Sequence, residues 1–214
     1  MNNREYEIRL YEIDESKIKK IIKENNGILI NKKRVMKIYT YNHPNNKKDS
    51  YIRIRDEGKQ ITLTIKTKLN SKYPIEREIE INNIEEADAI LKFLGCKPKY
   101  YVEKIRETFQ LGNCKEIVFD SYPGLPTYME IDCHDEANLK KIANLLGFEL
   151  SDHKKFNGKK VSVTDLYFEL YGINNNKRKK GNLTFKDAKK NYEKLIKKNK
   201  TQFNQILKEQ LKIS

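Results

Sequence analysis

From Glu5 to Cys133 the chain returns again and again to one pattern, an apolar side chain followed by a charged one. EYEIRL (5–10) sets Glu5, Glu7 and Arg9 on one side of a strand and Tyr6, Ile8 and Leu10 on the other, because successive side chains of a strand point to opposite faces. SYIRIRD (50–56) opposes Arg53 and Arg55 to Ile52 and Ile54, and ITLTIKTK (61–68) opposes Thr62, Thr64, Lys66 and Lys68 to Ile61, Leu63 and Ile65. IEREIEI (75–81) sets Glu76, Glu78 and Glu80 against Ile75 and Ile79. YYVEKIRETFQL (100–111) carries Lys104 and Arg106, KEIVFDSY (115–122) carries Asp120 with Val118 on its face, and TYMEIDC (127–133) opposes Glu130 and Asp132 to Met129 and Ile131. Each strand needs a cover for its apolar face. Each also needs an explanation for a face of mixed charge.

The segments between these strands are short and rich in turn residues, as in HPNNKKD, EGK, SKYP, LGN and PGLP. With ILINKKRVMKIYTYN (28–42) the strands number about eight. Helices are expected at 14–27, where Asp14 caps a stripe of Ile18, Ile21 and Ile22, at 83–95 and at 136–147. Hairpin-length connections with a few inserted helices predict an α+β fold built on a mainly antiparallel sheet or barrel, not a parallel α/β fold. Past residue 150, VTDLYFELYG reads as helix or strand, NNNKRKKGN as a basic linker, and 184–214 as one amphipathic basic helix. The expected organisation is a domain over 1–172, a linker over 173–183 and the helix over 184–214.

Residues 151–214 hold 17 of the 44 Lys and Arg but only 6 of the 30 Asp and Glu, so most of the net charge of +14 belongs to the tail. The run KRKK (177–180) and the lysines after it suggest contact with RNA phosphates, against a simpler reading as a linker followed by a solvated helix face. No apolar run approaches a membrane span and the first residues are polar, which predicts a cytoplasmic protein without membrane attachment. Cys96, Cys114 and Cys133 are odd in number and widely spaced, which fits reduced thiols better than disulfides or zinc; His43, His134 and His153 are equally scattered.

The charged faces have two readings. On a solvated outer surface they would form weak cross-strand pairs. If the apolar faces instead pack on helices outside a closed sheet, the charges point into a lumen, where they must be paired or bind something that satisfies them. Carboxylates then call for divalent cations and the Arg and Lys side chains for phosphate oxygens.

The ordered set of motifs resembles the CYTH superfamily, or triphosphate tunnel metalloenzymes. EYEIR is similar to the family's ExExK signature, YIRIRDEGKQITLTIK to its basic and Thr-Lys strands, EREIEI to its acidic strand, EKIRETF to its K-x-R strand and VFDSYPGLPTYMEID to its closing hairpin. The resemblance covers about residues 3 to 150. It implies a closed eight-stranded barrel with helices packed outside, and a triphosphate bound in a charged tunnel with Mg²⁺ or Mn²⁺. It would make Glu5, Glu7 and Glu130 metal ligands and catalytic acids, assisted by Asp132. Arg9, Arg53, Arg55, Lys66, Lys104 and Arg106 would grip phosphate, with Glu78, Glu80 and Asp120 as supporting acids. Arg9 departs from the signature lysine: it keeps the charge and adds a fork, but it does not deprotonate. The resemblance implies hydrolysis of a triphosphate, with cyclisation of ATP to cyclic AMP as the alternative and RNA 5′-triphosphatase action as a further one. A homodimer paired through the tail is compatible with the sequence.

Overall fold

A computed structural model describes residues 4–45, 50–67, 74–174 and 182–214. The tip of the 43–49 loop, Lys68, most of the SKYP turn and the basic run 177–180 lie outside the described residues. Eight strands follow the predicted segments closely: β1 (Tyr6–Leu10), β2 (Ile28–Asn42), β3 (Ser50–Asp56), β4 (Ile61–Thr67), β5 (Ile75–Ile81), β6 (Lys97–Gln110), β7 (Cys114–Ser121) and β8 (Tyr128–Cys133). They form one sheet in the order β1-β8-β7-β6-β2-β3-β4-β5. Every ladder whose register is resolved, β1 with β8, β2 with β3, β3 with β4, β4 with β5, β6 with β7 and β7 with β8, is antiparallel.

This order has two ends, β1 and β5, where the sequence led us to expect a closed ring. The residues before β1 do reach β5, but through a single bridge of Arg4 to Ile75 and a hydrogen bond from the Glu5 N–H to the Pro74 carbonyl at 3.1 Å. Pro74 has no N–H to return, so the ladder cannot continue through it.

The chain separates into two compact units, neither of them continuous. The first comprises Met1–Glu5, Val35–Glu103 and Lys180–Thr184; the second comprises Tyr6–Arg34, Lys104–Lys179 and Phe185–Ser214. In the first unit the apolar side chains of β3 and the end of β2 (Ile52, Ile54, Tyr41) pack with Ala87 and Leu91 of α2 (Ile84–Phe93), a helix capped by Asn83. Leu183 joins this unit through a parallel bridge to Val102.

In the second unit the strand residues Ile8, Leu10, Ile117, Phe119, Met129 and Ile131 are buried, and α3 (Glu136–Leu145) lies against β1, β7 and β8 with Leu139, Ile142 and Ala143 buried. Helix α1 (Glu15–Glu24) begins at Asp14, whose side chain accepts from the Lys17 N–H, and buries Ile18 and Ile22. Its Lys19 lies over the rings of Phe109 and Phe119 and pairs with Glu107.

The thiol expectation needs correction. Cys114 and Cys133 are register partners across β7 and β8 and are joined as a disulfide; Cys96 alone is a free, buried thiol. Nineteen residues separate the pair in sequence, and only the hairpin register brings them face to face.

The tail also departs from expectation. VTDLYFELY forms α4 (Val163–Tyr171), opened by a reciprocal Ser162–Asp165 cap and closed by left-handed Gly172. Residues 184–214 are two helices, α5 (Phe185–Tyr192) and α6 (Lys200–Gln210), not one. The break has two causes: Asn199 takes a left-handed conformation, which Asn tolerates, and the intervening turn is drawn to the end of α4. The Lys197 N–H donates to the Tyr171 carbonyl and the Asn199 amide to that of Leu170. No helix among the described residues is long and apolar enough to cross a membrane.

One position in this packing is unforgiving. Gly124, at φ +76°, lies under the Phe203 ring so closely that a Cβ would overlap it. Gly124→Ala is therefore expected to cost about 1–3 kcal/mol, read as a lower urea midpoint at unchanged slope.

Candidate functional site

The cross-strand register assembles the predicted side chains into rows. In the second unit, Arg9 stands opposite Glu130 and Glu7 opposite Asp132, while β7 adds Glu116 beside Asp132 and β6 sets Arg106 beside Asp120. These residues share the face opposite to Ile8, Met129, Ile131, Ile117 and Phe119, as the alternation requires. Part of this face is withdrawn from solvent: Asp120 is fully buried and Lys104, Arg106 and Glu130 nearly so, while Glu7, Arg9, Glu116 and Asp132 keep some exposure. For the four buried residues the solvated outer-surface reading does not hold.

Buried charges persist only when paired, and here the pairing is dense. Asp120 accepts from Lys104 Nζ at 2.6 Å, from Arg106 Nε at 2.8 Å and from the Arg106 terminal nitrogen at 2.7 Å. That nitrogen also reaches Glu130 at 3.4 Å, and the other guanidinium arm reaches Glu116 at 3.2 Å. Arg9 grips Glu130 through Nε at 2.6 Å and a terminal nitrogen at 2.5 Å, with its guanidinium 5.4 Å from the centre of the Tyr128 ring. The backbone of Arg9 is fixed as well, its N–H donating to His153 Nδ1 and its carbonyl accepting from the Lys154 N–H.

This packing sets the ionisation of each group. Burial opposes the charge of Glu130, but Arg9, Lys104 and Arg106 overcome it and hold the carboxyl well below the usual range. Asp120 is likewise held down against its burial by Arg106 and Lys104. Lys104 behaves in the opposite sense: burial and then the neighbouring Arg106 push its ammonium down to about 8, against the pull of Asp120 and Glu130. At Asp132 burial dominates, Lys115 offsets it in part, Glu7 and Glu116 add to it, and the carboxyl is pushed up to about 7.

In the first unit the rows are Arg53–Thr64–Glu78, Arg55–Thr62–Glu80 and Tyr51–Lys66–Glu76. Arg53 bonds Glu76 at 2.8 Å, Arg55 reaches Glu78 at 3.2 Å, and the Thr64 hydroxyl donates to Glu78 at 2.6 Å. Lys66 pairs with Glu5 and approaches Glu76 at 3.6 Å. Glu80 accepts from Gln60 at 3.3 Å.

Every predicted residue except Glu5, which precedes β1, thus lies on a charged strand face, but the four proposed metal ligands are not gathered as a cage. Among the described residues no three His, Cys, Asp or Glu side chains are arranged to hold a metal ion. The reason is visible in the pairing, since Glu5 is engaged by Lys66 and Glu130 by Arg9 and Arg106. The donor chemistry nonetheless suits a hard divalent cation. Glu7, Asp132 and Glu116 form a row of carboxylates across three neighbouring strands, the oxygen-donor chemistry that such a cation takes.

Two acids escaped the candidate set. Glu116 shares its face with Val118 and Asp120, and Glu76 with Glu78 and Glu80; the same alternation that picked their neighbours marks both. The depth to which Thr40, Thr62 and Thr64 are buried on this face had no sequence signal.

A CYTH domain family model matches residues 3–168. No curated protein sequence matches the chain. Among solved structures, the PH1819 protein of Pyrococcus horikoshii OT3 shares 25% identity at a TM-score of 0.55, over 77% of this chain and 98% of that one. The PH1012 protein of the same organism shares 20% at 0.57, over 74% and 99%. A Vibrio parahaemolyticus protein described as a candidate adenylate cyclase shares 13% at 0.63, over 73% and 96%. With three quarters of its length matched and its strands in the order the motifs anticipated, this chain belongs to the CYTH domain family.

Proposed function

We propose that the protein is a metal-dependent hydrolase of triphosphate-containing substrates. The observation that supports it best is the buried Lys104–Arg106–Asp120–Glu130 network, in which cations are held in fixed positions at low solvent exposure. Positioned cations are what phosphoryl transfer needs most, because its catalysis is largely placement and neutralisation of charge. Arg9, Lys104 and Arg106 would contact phosphate oxygens; Arg53, Arg55 and Lys66 are further cations that the family resemblance assigns to phosphate. Glu7, Glu130 and Asp132 would hold Mg²⁺ or Mn²⁺; a bound cation of this kind neutralises phosphate charge and polarises the phosphorus to be attacked. Asp120 keeps Lys104 and Arg106 oriented, and Arg9 keeps Glu130 charged and aimed.

Hydrolysis makes the fewest demands on such a face, since it requires only the phosphate chain and a water. The name of the Vibrio structure motivates the alternative, in which a ribose hydroxyl attacks its own α-phosphorus to give cyclic AMP. Tripolyphosphate, thiamine triphosphate, ATP and 5′-triphosphorylated RNA, each assayed with Mg²⁺ and Mn²⁺ for phosphate and cyclic AMP, separate these reactions. Phosphate release abolished by Glu7→Ala is the expected result; cyclic AMP without phosphate would replace hydrolysis by cyclisation, and an unaffected Glu7→Ala enzyme would remove the metal assignment.

A pH dependence accompanies this reading. Lys104 gives up its proton near pH 8 in place of the usual value near 10.4. If its charge grips phosphate, KM for tripolyphosphate rises by roughly tenfold per pH unit above about 8. Lys104→Arg stays charged and should flatten that rise; parallel profiles for the two enzymes would exclude Lys104 from phosphate contact.

A further inference from the structure

The matched family segment ends at residue 168, and the helices at and beyond that point are tied to one turn of the charged sheet. Residues 122–127 join β7, which carries Asp120, to β8, which carries Glu130, and Asp120 and Tyr128 are the first register pair beyond the turn. Pro123 and Pro126 have no N–H, so the turn makes few bonds of its own; one is from the Leu125 N–H to the Tyr122 carbonyl at 2.9 Å. The remaining needs are met by side chains from α4 and α6. The Tyr167 hydroxyl donates to the Pro123 carbonyl at 2.8 Å and the Tyr171 hydroxyl to that of Gly124 at 2.5 Å. Gln210, buried near the end of α6, uses its whole amide on the same loop. Its Oε1 accepts from the Gly124 N–H at 2.7 Å, and its Nε2 donates to the carbonyls of Tyr122 and Leu125 at 3.0 and 3.1 Å. Every carbonyl from Tyr122 to Leu125 therefore accepts from a side chain of α4 or α6. Phe203 closes over Gly124 and packs edge-on against Tyr171 and Tyr192, leaving the loop no room to shift toward the helix.

We propose that the C-terminal helices are a clamp on the β7–β8 turn that holds Asp120 and Glu130 in register, with Gln210 as its positioning residue. The proposal rests on the reading of this face as a cation and phosphate site. A turn that slips moves the two strands against each other. The bonds of Arg106, at 2.7 Å to Asp120 and 3.4 Å to Glu130, span those strands and would be the first to change.

The test uses the full-length protein and Gln210→Met, which keeps length and apolar bulk but makes no such bonds. Mn²⁺ binding is followed by electron paramagnetic resonance and tripolyphosphate binding by calorimetry, at a temperature where circular dichroism shows both proteins folded. The expected result is a Kd about tenfold weaker for Mn²⁺ in Gln210→Met, the size of effect that outlying partners of metal ligands produce. Unchanged affinity in a variant that is merely less stable would overturn the clamp and leave the helices a structural support. Wild-type protein that binds tripolyphosphate but not Mn²⁺ would sink the metal reading alone, and the clamp would then be judged on tripolyphosphate, where the same loss is expected. Should Gln210→Met fail to fold, Tyr171→Phe removes one hydroxyl from the clamp; about threefold weaker binding is expected, and wild-type affinity would overturn the proposal.

Discussion

Asp120→Ala is expected to lower stability by about 3–5 kcal/mol, a large share of what a chain of this kind possesses. Asp120 has no exposed surface and is the common acceptor for Lys104 and Arg106, themselves buried. Removing it strands two cationic side chains away from water, with Glu130 and Glu116 left as partial partners for Arg106. Urea unfolding of the two proteins measures the difference; a loss below about 1 kcal/mol would mean that water reaches this network freely. The same carboxylates shape the acid limb. Asp120 and Glu130 both have folded pKa values below the ordinary ones. Their stabilisation is complete above the unfolded carboxyl pKa near 4 and is lost as pH falls toward the folded values. Asp120→Ala should therefore unfold with a shallower dependence on pH below about 4 than the wild type.

Glu130→Gln is expected to reduce turnover of tripolyphosphate by about 100-fold or more while sparing the fold relative to Asp120→Ala. The amide keeps the size of the carboxylate and one acceptor oxygen for Arg9, and Arg106 keeps Asp120 and Glu116, but the negative charge proposed to hold the cation is gone. Phosphate release against Mn²⁺ concentration checks the prediction. A Mn²⁺ requirement shifted to higher concentration, with turnover partly restored by excess Mn²⁺, is the outcome expected of a charge that holds the cation. Turnover within threefold of wild type would leave Glu130 as a counterion for Arg9 and nothing more.

Much of this was legible in the chain because alternation is a local signal. Arg53 and Arg55, or Glu130 and Asp132, declare a shared face from their spacing alone, and the recurrence of the pattern from strand to strand pointed to a charged interior. Pairings that depend on register were not legible. Nothing in the sequence says that Glu130 meets Arg9, that Cys114 meets Cys133, or that Glu116 stands in a row with Asp132 and Glu7. The place where the tail packs was hidden for a related reason. The tail's apolar stripe announced a packed face, but not that Phe203 and one glutamine would meet a turn nearly ninety residues away in sequence. Asn199, a residue that tolerates a left-handed bend, was the available sign that one helix would be two.

Strand β8 is buried on both sides, at Met129 and Ile131 on one and at Tyr128 and Glu130 on the other. A strand in a half-solvated sheet leaves every second position free to drift, so its mutational record has a period of two. Here that rhythm should vanish. A saturation scan of Tyr128–Ile131 would find no permissive alternate positions, with Met129 and Ile131 refusing charge, Tyr128 refusing loss of its ring and Glu130 refusing loss of its charge. The segment that carries the proposed cation-binding acids is thus also the one where neutral change is slowest, and a shift in substrate would more readily be acquired at the strand ends than within it.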